Sequence, residues 1–157
     1  MRQLAALVVL LVGIGAGWVA LRSSEEPETV AHGTVVAVVD GDTLVVAHDG
    51  RRERVRVLGI DAPEARSCLA DRSTAETRRL ALGRRVELEG DSSQTSRDRF
   101  GRRLAYVRLP EGRDLGFELV SAGLARSFVV GRPFERLEAY RRAETAGRGR
   151  TPSIWAC

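Results

Sequence analysis

Two short segments of this chain, Arg56-Val57-Leu58-Gly59-Ile60-Asp61-Ala62-Pro63-Glu64 and Asp98-Arg99-Phe100-Gly101-Arg102, hold residue types that can do chemistry together. A third, Asp40-Gly41-Asp42-Thr43, lies upstream. Their side chains supply hard oxygen donors for a divalent cation, one spare carboxylate and two guanidinium groups. That set suits phosphodiester hydrolysis, which needs a polarised phosphate, a carboxylate to take a proton from water, and Arg forks for the charge that builds at phosphorus. Each segment alone is ordinary. Asp-Gly is a common hairpin turn, and Pro63 pushes Ala62 into an extended conformation that simply ends a strand. Their combination in one strand-rich stretch carries the reading.

The donor types narrow it further. The two His residues, His32 and His48, lie outside all three segments, so zinc and serine-triad schemes have little to work with. Carboxylates, backbone carbonyls and water suit calcium, magnesium or manganese. Two carboxylates leave most positions of a calcium ion to water. Each Arg also has a purely structural alternative. Arg56 shares strand parity with Leu58 and Ile60 and could be a partly buried ion pair; of Arg102 and Arg103, one is expected to face solvent. Arg56 and Asp61 differ in parity, so the backbone must bend at Gly59-Ile60, or the strand must end there, for both to face one site.

Composition sets the limits. The chain has 157 residues and a formal charge of +4, which suits a polyanionic partner. All 25 basic residues are Arg and there is no Asn, a pattern of nucleotide bias that dilutes the charge signal. Residues 1–22 hold an unbroken apolar run, Leu4 to Leu21. As a helix it would span about 27 Å, near the thickness of a bilayer core. It reads as a signal peptide or an uncleaved transmembrane anchor, and in both cases the rest of the chain is exported, either membrane-anchored or secreted. Residues 23–32 form a polar linker and 33–157 one domain. Cys68 and Cys157 fit an oxidising compartment as an intramolecular disulfide; two free thiols are the alternative.

Periodicity then places elements around the chemistry. Residues 34–39 and 44–47 are β-branched runs flanking an Asp40-Gly41-Asp42 hairpin turn, and 51–60 reads as a third strand. Residues 86–89 and 104–109 are strands joined by the polar loop that carries Asp98–Arg102, and 124–130 is a further candidate strand. Helices are expected over 71–82, with Ser73-Thr74-Ala75-Glu76 as a capping box and Gly83 after its end, over 115–122 behind Asp114 as N-cap, and over 134–145. Five short strands with helices added late point to a small barrel with helices packed outside.

These residues resemble the staphylococcal nuclease (thermonuclease) family. Asp40-Gly41-Asp42-Thr43, Arg56…Asp61-Ala62-Pro63-Glu64, Asp98–Arg102, Leu119-Val120…Gly123-Leu124-Ala125 and Ile154-Trp155 stand in that family's order, from about Gly33 to Trp155. The resemblance implies a five-stranded OB-fold barrel with about three helices. It also implies a monomeric enzyme whose Ca2+-dependent hydrolysis of DNA and RNA leaves 3′-phosphate ends. By the same match Asp42 and Asp61 are the side-chain metal ligands, Ala62 supplies a carbonyl ligand, Glu64 activates water, and Arg56 and Arg102 bind phosphate. Three departures stand out. Val129 and Gly131 align where the type member has two Tyr near the nucleobase, with Phe128 adjacent on the opposite parity. The stretch from Ala65 to Ala70 is shorter, and Cys68 and Cys157 have no counterpart there. A weakly active or inactive nucleic-acid-binding OB module is the competing function.

Overall fold

The computed structural model describes residues 30–157; the apolar run and most of the linker lie outside them. In chain order the elements are β1 (Ala31–Val38), β2 (Thr43–His48), β3 (Arg51–Val57), β4 (Ile60–Asp61), α1 (Ala70–Ala81), β5 (Arg85–Glu89), β6 (Arg103–Arg108), α2 (Leu115–Ser121), β7 (Arg126–Ser127) and α3 (Leu137–Arg148). Five strands close a barrel in the order β1-β2-β3-β6-β5, the OB-type arrangement with three helices. Alternation drives it: Leu44 and Val46, Val55 and Val57, Val86 and Leu88, and Ala105 and Val107 are all buried. In β1 the register slips between Val35 and Ala37, a bulge that returns Val38 to the interior after exposing Val36. Closure comes from β3 and β6, which pair in parallel through Val55↔Arg103 and Val57↔Ala105. β1 begins at Ala31, two residues before Gly33, because Ala31 and His32 pair with Leu88 and Glu87 of β5.

Three local expectations are corrected, each by a tertiary contact. The third strand stops at Val57. Gly59 then takes φ +78°, and the ring of Phe134 lies where a side chain would be, 2.7 Å from an ideal Cβ. The bend that parity requires between Arg56 and Asp61 is this glycine. The helix expected at 134 begins only at Leu137, since Phe134 is committed to covering Gly59 and packing edge-on against Tyr140 at 5.3 Å.

The capping box of α1 does not form. The helix starts at Ala70 behind Leu69 in a left-handed conformation, with no side-chain cap. Ser73 and Thr77 instead form part of its buried face, docked on the Asp40–Asp42 turn, and Thr77 Oγ1 donates to the Gly41 carbonyl at 2.7 Å. Only a glycine permits that approach, because a Cβ at Gly41 would lie 2.2 Å from Ser73 Oγ. Glu76, freed from capping, accepts from Arg79 at 2.8 Å and 2.6 Å. By contrast Asp114 caps α2 as expected, accepting from the Phe117 amide at 3.2 Å. Its carboxylate also takes Tyr140 Oη at 2.8 Å and Arg136 at 2.7 Å, tying α2 to α3.

Gly59→Ala should destabilise the fold by roughly 2–4 kcal/mol, combining left-handed strain with the clash against Phe134. Urea unfolding with the disulfide intact measures this; a loss below the usual surface range would show the bend to be soft.

Candidate active site

The β1–β2 turn, the bend after β3 and the loop before β6 meet at one end of the barrel. Asp42, on the turn, is buried. Its Oδ2 accepts from the Ala62 amide at 2.8 Å and faces Arg56 NH2 at 3.1 Å. The same NH2 stands 3.8 Å from Asp61 Oδ1, so both carboxylates share one guanidinium nitrogen. Arg56 NH1 donates to the carbonyls of Val57 and Ile60, 2.8 Å each, and so clasps the two ends of the Gly59 bend. The ion-pair reading of Arg56 is therefore correct as far as it goes, but the partners are the candidate ligands themselves.

Arg102 joins through Thr43. The threonine hydroxyl donates to Asp42 Oδ1 at 3.2 Å and accepts from Arg102 NH1 at 3.3 Å. Asp98 orients the guanidinium, taking Nε at 2.6 Å and the Arg102 amide at 3.0 Å. Burial raises the Asp98 carboxyl, and these Arg102 bonds more than offset it, holding the group below its ordinary range. Neither neighbouring arginine is free in solvent: the Arg103 side chain is 19% exposed, 3.8 Å from Glu53.

Glu64 lies apart from this contact chain. It is exposed on the rim of an open cleft of about 320 Å³, shared with Asp61, Ala62 and Arg126 and walled by Cys68 and Cys157. Its backbone carbonyl accepts from the Ser67 amide at 2.9 Å and from the Ser67 hydroxyl, which fixes the turn that carries it. Cys68 and Cys157 are disulfide-bonded across 89 residues, so the bridge expected from the sequence stands beside this turn. The bridge ties the short Ala65–Ala70 stretch to the C-terminal segment.

Four further residues belong to this site beyond those the motifs assign. Thr43 and Asp98 were visible within their motifs, and the Asp98/Arg102 spacing was a usable signal. Asp40 accepts from the Asp42 amide at 3.1 Å, an ordinary Asx turn. Arg126 reaches Asp61 Oδ2 at 3.7 Å only because β4 pairs with β7, Asp61 opposite Arg126; nothing local announces that pairing. Residues 128–130, beyond β7, present Phe128 and Val130 at 44% and 70% exposure, an apolar rather than tyrosine-bearing surface.

Residues 54–157 match the family model described as "Staphylococcal nuclease homologue". The chain belongs to the staphylococcal nuclease family. It is 31% identical to the Thermonuclease of Staphylococcus hyicus over 129 residues, 78% of this chain and 74% of that protein. Endonuclease YncB of Bacillus subtilis (strain 168) is 29% identical over 140 residues, 85% of this chain and 65% of that protein. Protein ParB of Escherichia coli is 31% identical over 165 residues, covering 99% and 84%. Asp42 precedes the span matched by the family model, yet the fold bonds it to Arg56 and Ala62 inside that span.

The donor chemistry here fits a hard cation. Among the described residues no three His, Cys, Asp or Glu side chains form a metal cage. Two oxygen-donor side chains meet instead, one of them poorly compensated. Burial pushes Asp42 up from 3.8 to about 6, with Asp40 adding to the rise, and the opposing pull of Arg56 and the Ala62 amide is incomplete. Further positive charge would relieve it.

Two outcomes follow. Removing the bridge with Cys68→Ser/Cys157→Ser should cost roughly 2–4 kcal/mol in chemical unfolding, and hydrogen exchange should rise at residues 64–69; unchanged exchange would show that the bridge does not brace this turn. For Asp42, the folded value of about 6 lies above the ordinary 3.8, so the native state retains a proton that the unfolded chain has released. In chelator, its burial therefore costs nothing below about pH 4 and progressively more as pH rises through about 6. Asp42→Asn should flatten that fall and stabilise the metal-free protein at pH 7 by about 1–3 kcal/mol. Thermal melts from pH 4 to 7 in chelator check the sign.

Proposed function

We propose that this protein is an exported, Ca2+-dependent nuclease that hydrolyses phosphodiester bonds of DNA and RNA with little sequence specificity. The observation that carries the reading is the convergence of Asp42 and Asp61 on one guanidinium nitrogen of Arg56, with Arg102 joined through Thr43. Asp42, Asp61 and the Ala62 carbonyl would hold the ion, leaving its other positions to water. When bound, the ion supplies Lewis-acid polarisation of the phosphate. Glu64, exposed on the cleft rim, takes the proton of the attacking water. Arg56 and Arg102 offer planar forks to the non-bridging oxygens; Asp98 and the Val57 and Ile60 carbonyls aim those forks in advance, so little reorganisation is needed as charge develops.

The relatives named Thermonuclease and Endonuclease support nuclease activity. Export is supported by the apolar run of residues 4–21 and by a disulfide, which persists in oxidising compartments. Among the described residues no helix is long and apolar enough to cross a membrane, so an anchor would have to come from that run. The apolar surface at Phe128–Val130 supports looser base contacts than a pair of tyrosines would give.

Release of acid-soluble nucleotides from single-stranded DNA by the full chain tests the reading. Activity should require calcium and vanish in chelator. Glu64→Gln should lower turnover by roughly 10²–10⁴-fold with substrate binding little changed. Arg102→Lys should cost roughly 10²–10³-fold by losing the fork while keeping the charge. Arg141→Lys, on the outer face of α3, serves as the silent control. Tight binding without cleavage under every divalent cation would replace the enzyme with a binding module.

A further inference from the structure

Along β3, Val55 and Val57 point into the barrel, and Arg52, Arg54 and Arg56 occupy the alternate, outward positions. Alternate residues of a strand stand about 6–7 Å apart, so these arginines form a row that ends in the candidate active site. Their cross-strand neighbours on β2 are Ala47 opposite Arg52 and Val45 opposite Arg54, small apolar residues that offer no counter-charge. Among the described residues no carboxylate pairs with Arg51, Arg52 or Arg54. The row borders an open groove of about 420 Å³, whose other wall is the loop carrying Arg97, Phe100 and Arg102.

Two of the three acids near this groove, Glu53 and Asp98, are held by arginines. Glu53 is 13% exposed and meets His48 at 3.2 Å, Arg103 at 3.8 Å and Arg97. Asp98 is bound by Arg102, and Asp49 sits out at the hairpin tip beside His48. The surface that remains is cationic, with one aromatic face: Phe100 is 68% exposed, and the guanidinium carbons of Arg99 and Arg102 lie 4.7 Å and 5.5 Å from its ring centroid. A cationic groove beside an exposed ring is the equipment of a single-strand binder, in which guanidiniums follow the backbone and the ring accepts a base.

We propose that this groove is a binding track for single-stranded nucleic acid: it takes the strand beyond the scissile phosphate, with Arg54 and Arg52 each holding a backbone phosphate. The position of the scissile phosphate rests on the nuclease reading above; affinity for the strand does not require cleavage. The track gives a role to arginines whose abundance in the sequence is only a diluted signal of a polyanionic partner.

The test uses the full chain in detergent, in chelator, with a labelled oligothymidylate of about twelve nucleotides followed by fluorescence anisotropy across a salt series. R52S/R54S should weaken binding roughly tenfold and flatten the log–log salt dependence by about 1.4, since each phosphate contact on a single strand contributes about 0.7. R78S/R142S removes the same charge from the outer faces of α1 and α3 and should leave the slope unchanged. An unaltered slope in R52S/R54S, an equal loss in R78S/R142S, or no binding by the wild-type chain would each overturn the track. A parallel assay with calcium separates the two ideas. Binding that depends on Arg52 and Arg54 without any cleavage would retain the track and remove the nuclease, whereas cleavage with an unaltered slope would do the reverse.

Discussion

The contact on which the site depends is the hydrogen bond from the Ala62 amide to the buried carboxylate of Asp42, reinforced by Arg56. It stitches the β1–β2 turn to the segment after β3, two pieces of chain separated by twenty residues. A buried carboxylate is costly unless hydrogen-bonded and paired, and here the compensation is supplied almost entirely by groups of the site itself. The stitch also dictates backbone form. For Asp61 and Ala62 to reach the site while Arg56 faces the Asp42 carboxylate, the chain must bend within five or six residues, which Gly59 accomplishes with the Phe134 ring laid over it.

The surrounding elements hold that stitch in place. α1 gives up its sequence-coded cap to press Ser73 and Thr77 onto the Asp40–Asp42 turn. The small β4–β7 ladder brings Arg126 to the outer side of Asp61. The disulfide holds the turn that carries Glu64 against the C-terminal segment. Each device fixes one side chain or one loop, and together they leave the buried Asp42 carboxylate short of positive charge. A buried carboxylate left partly uncompensated lowers the stability of the fold that carries it, a familiar exchange at functional sites.

Sequence patterning alone determined much of this protein. Alternating β-branched residues specified five strands, because burying one face of a pleat demands period two. The Asp-Gly turn, the Asp114 cap and the residue types of the three motifs were equally local, and the oxygen-only donor set with its two arginines was legible before any fold was drawn. The parity conflict between Arg56 and Asp61 even located the bend, although not its form.

What only the tertiary structure decided was everything that depends on distant chain. That Thr43 couples Arg102 to Asp42, that Arg126 faces Asp61, that Phe134 leaves its helix to cover Gly59, and that Ser73 docks instead of capping α1 all require partners 30 to 75 residues away. The same holds for the arginines. In the sequence they are a compositional excess; only barrel closure, by setting Arg52 and Arg54 beside the 97–102 loop, turns two of them into one wall of a groove. Local propensity is worth a kcal/mol or so per feature, and the burial and pairing made possible by closure outweigh it wherever the two conflict.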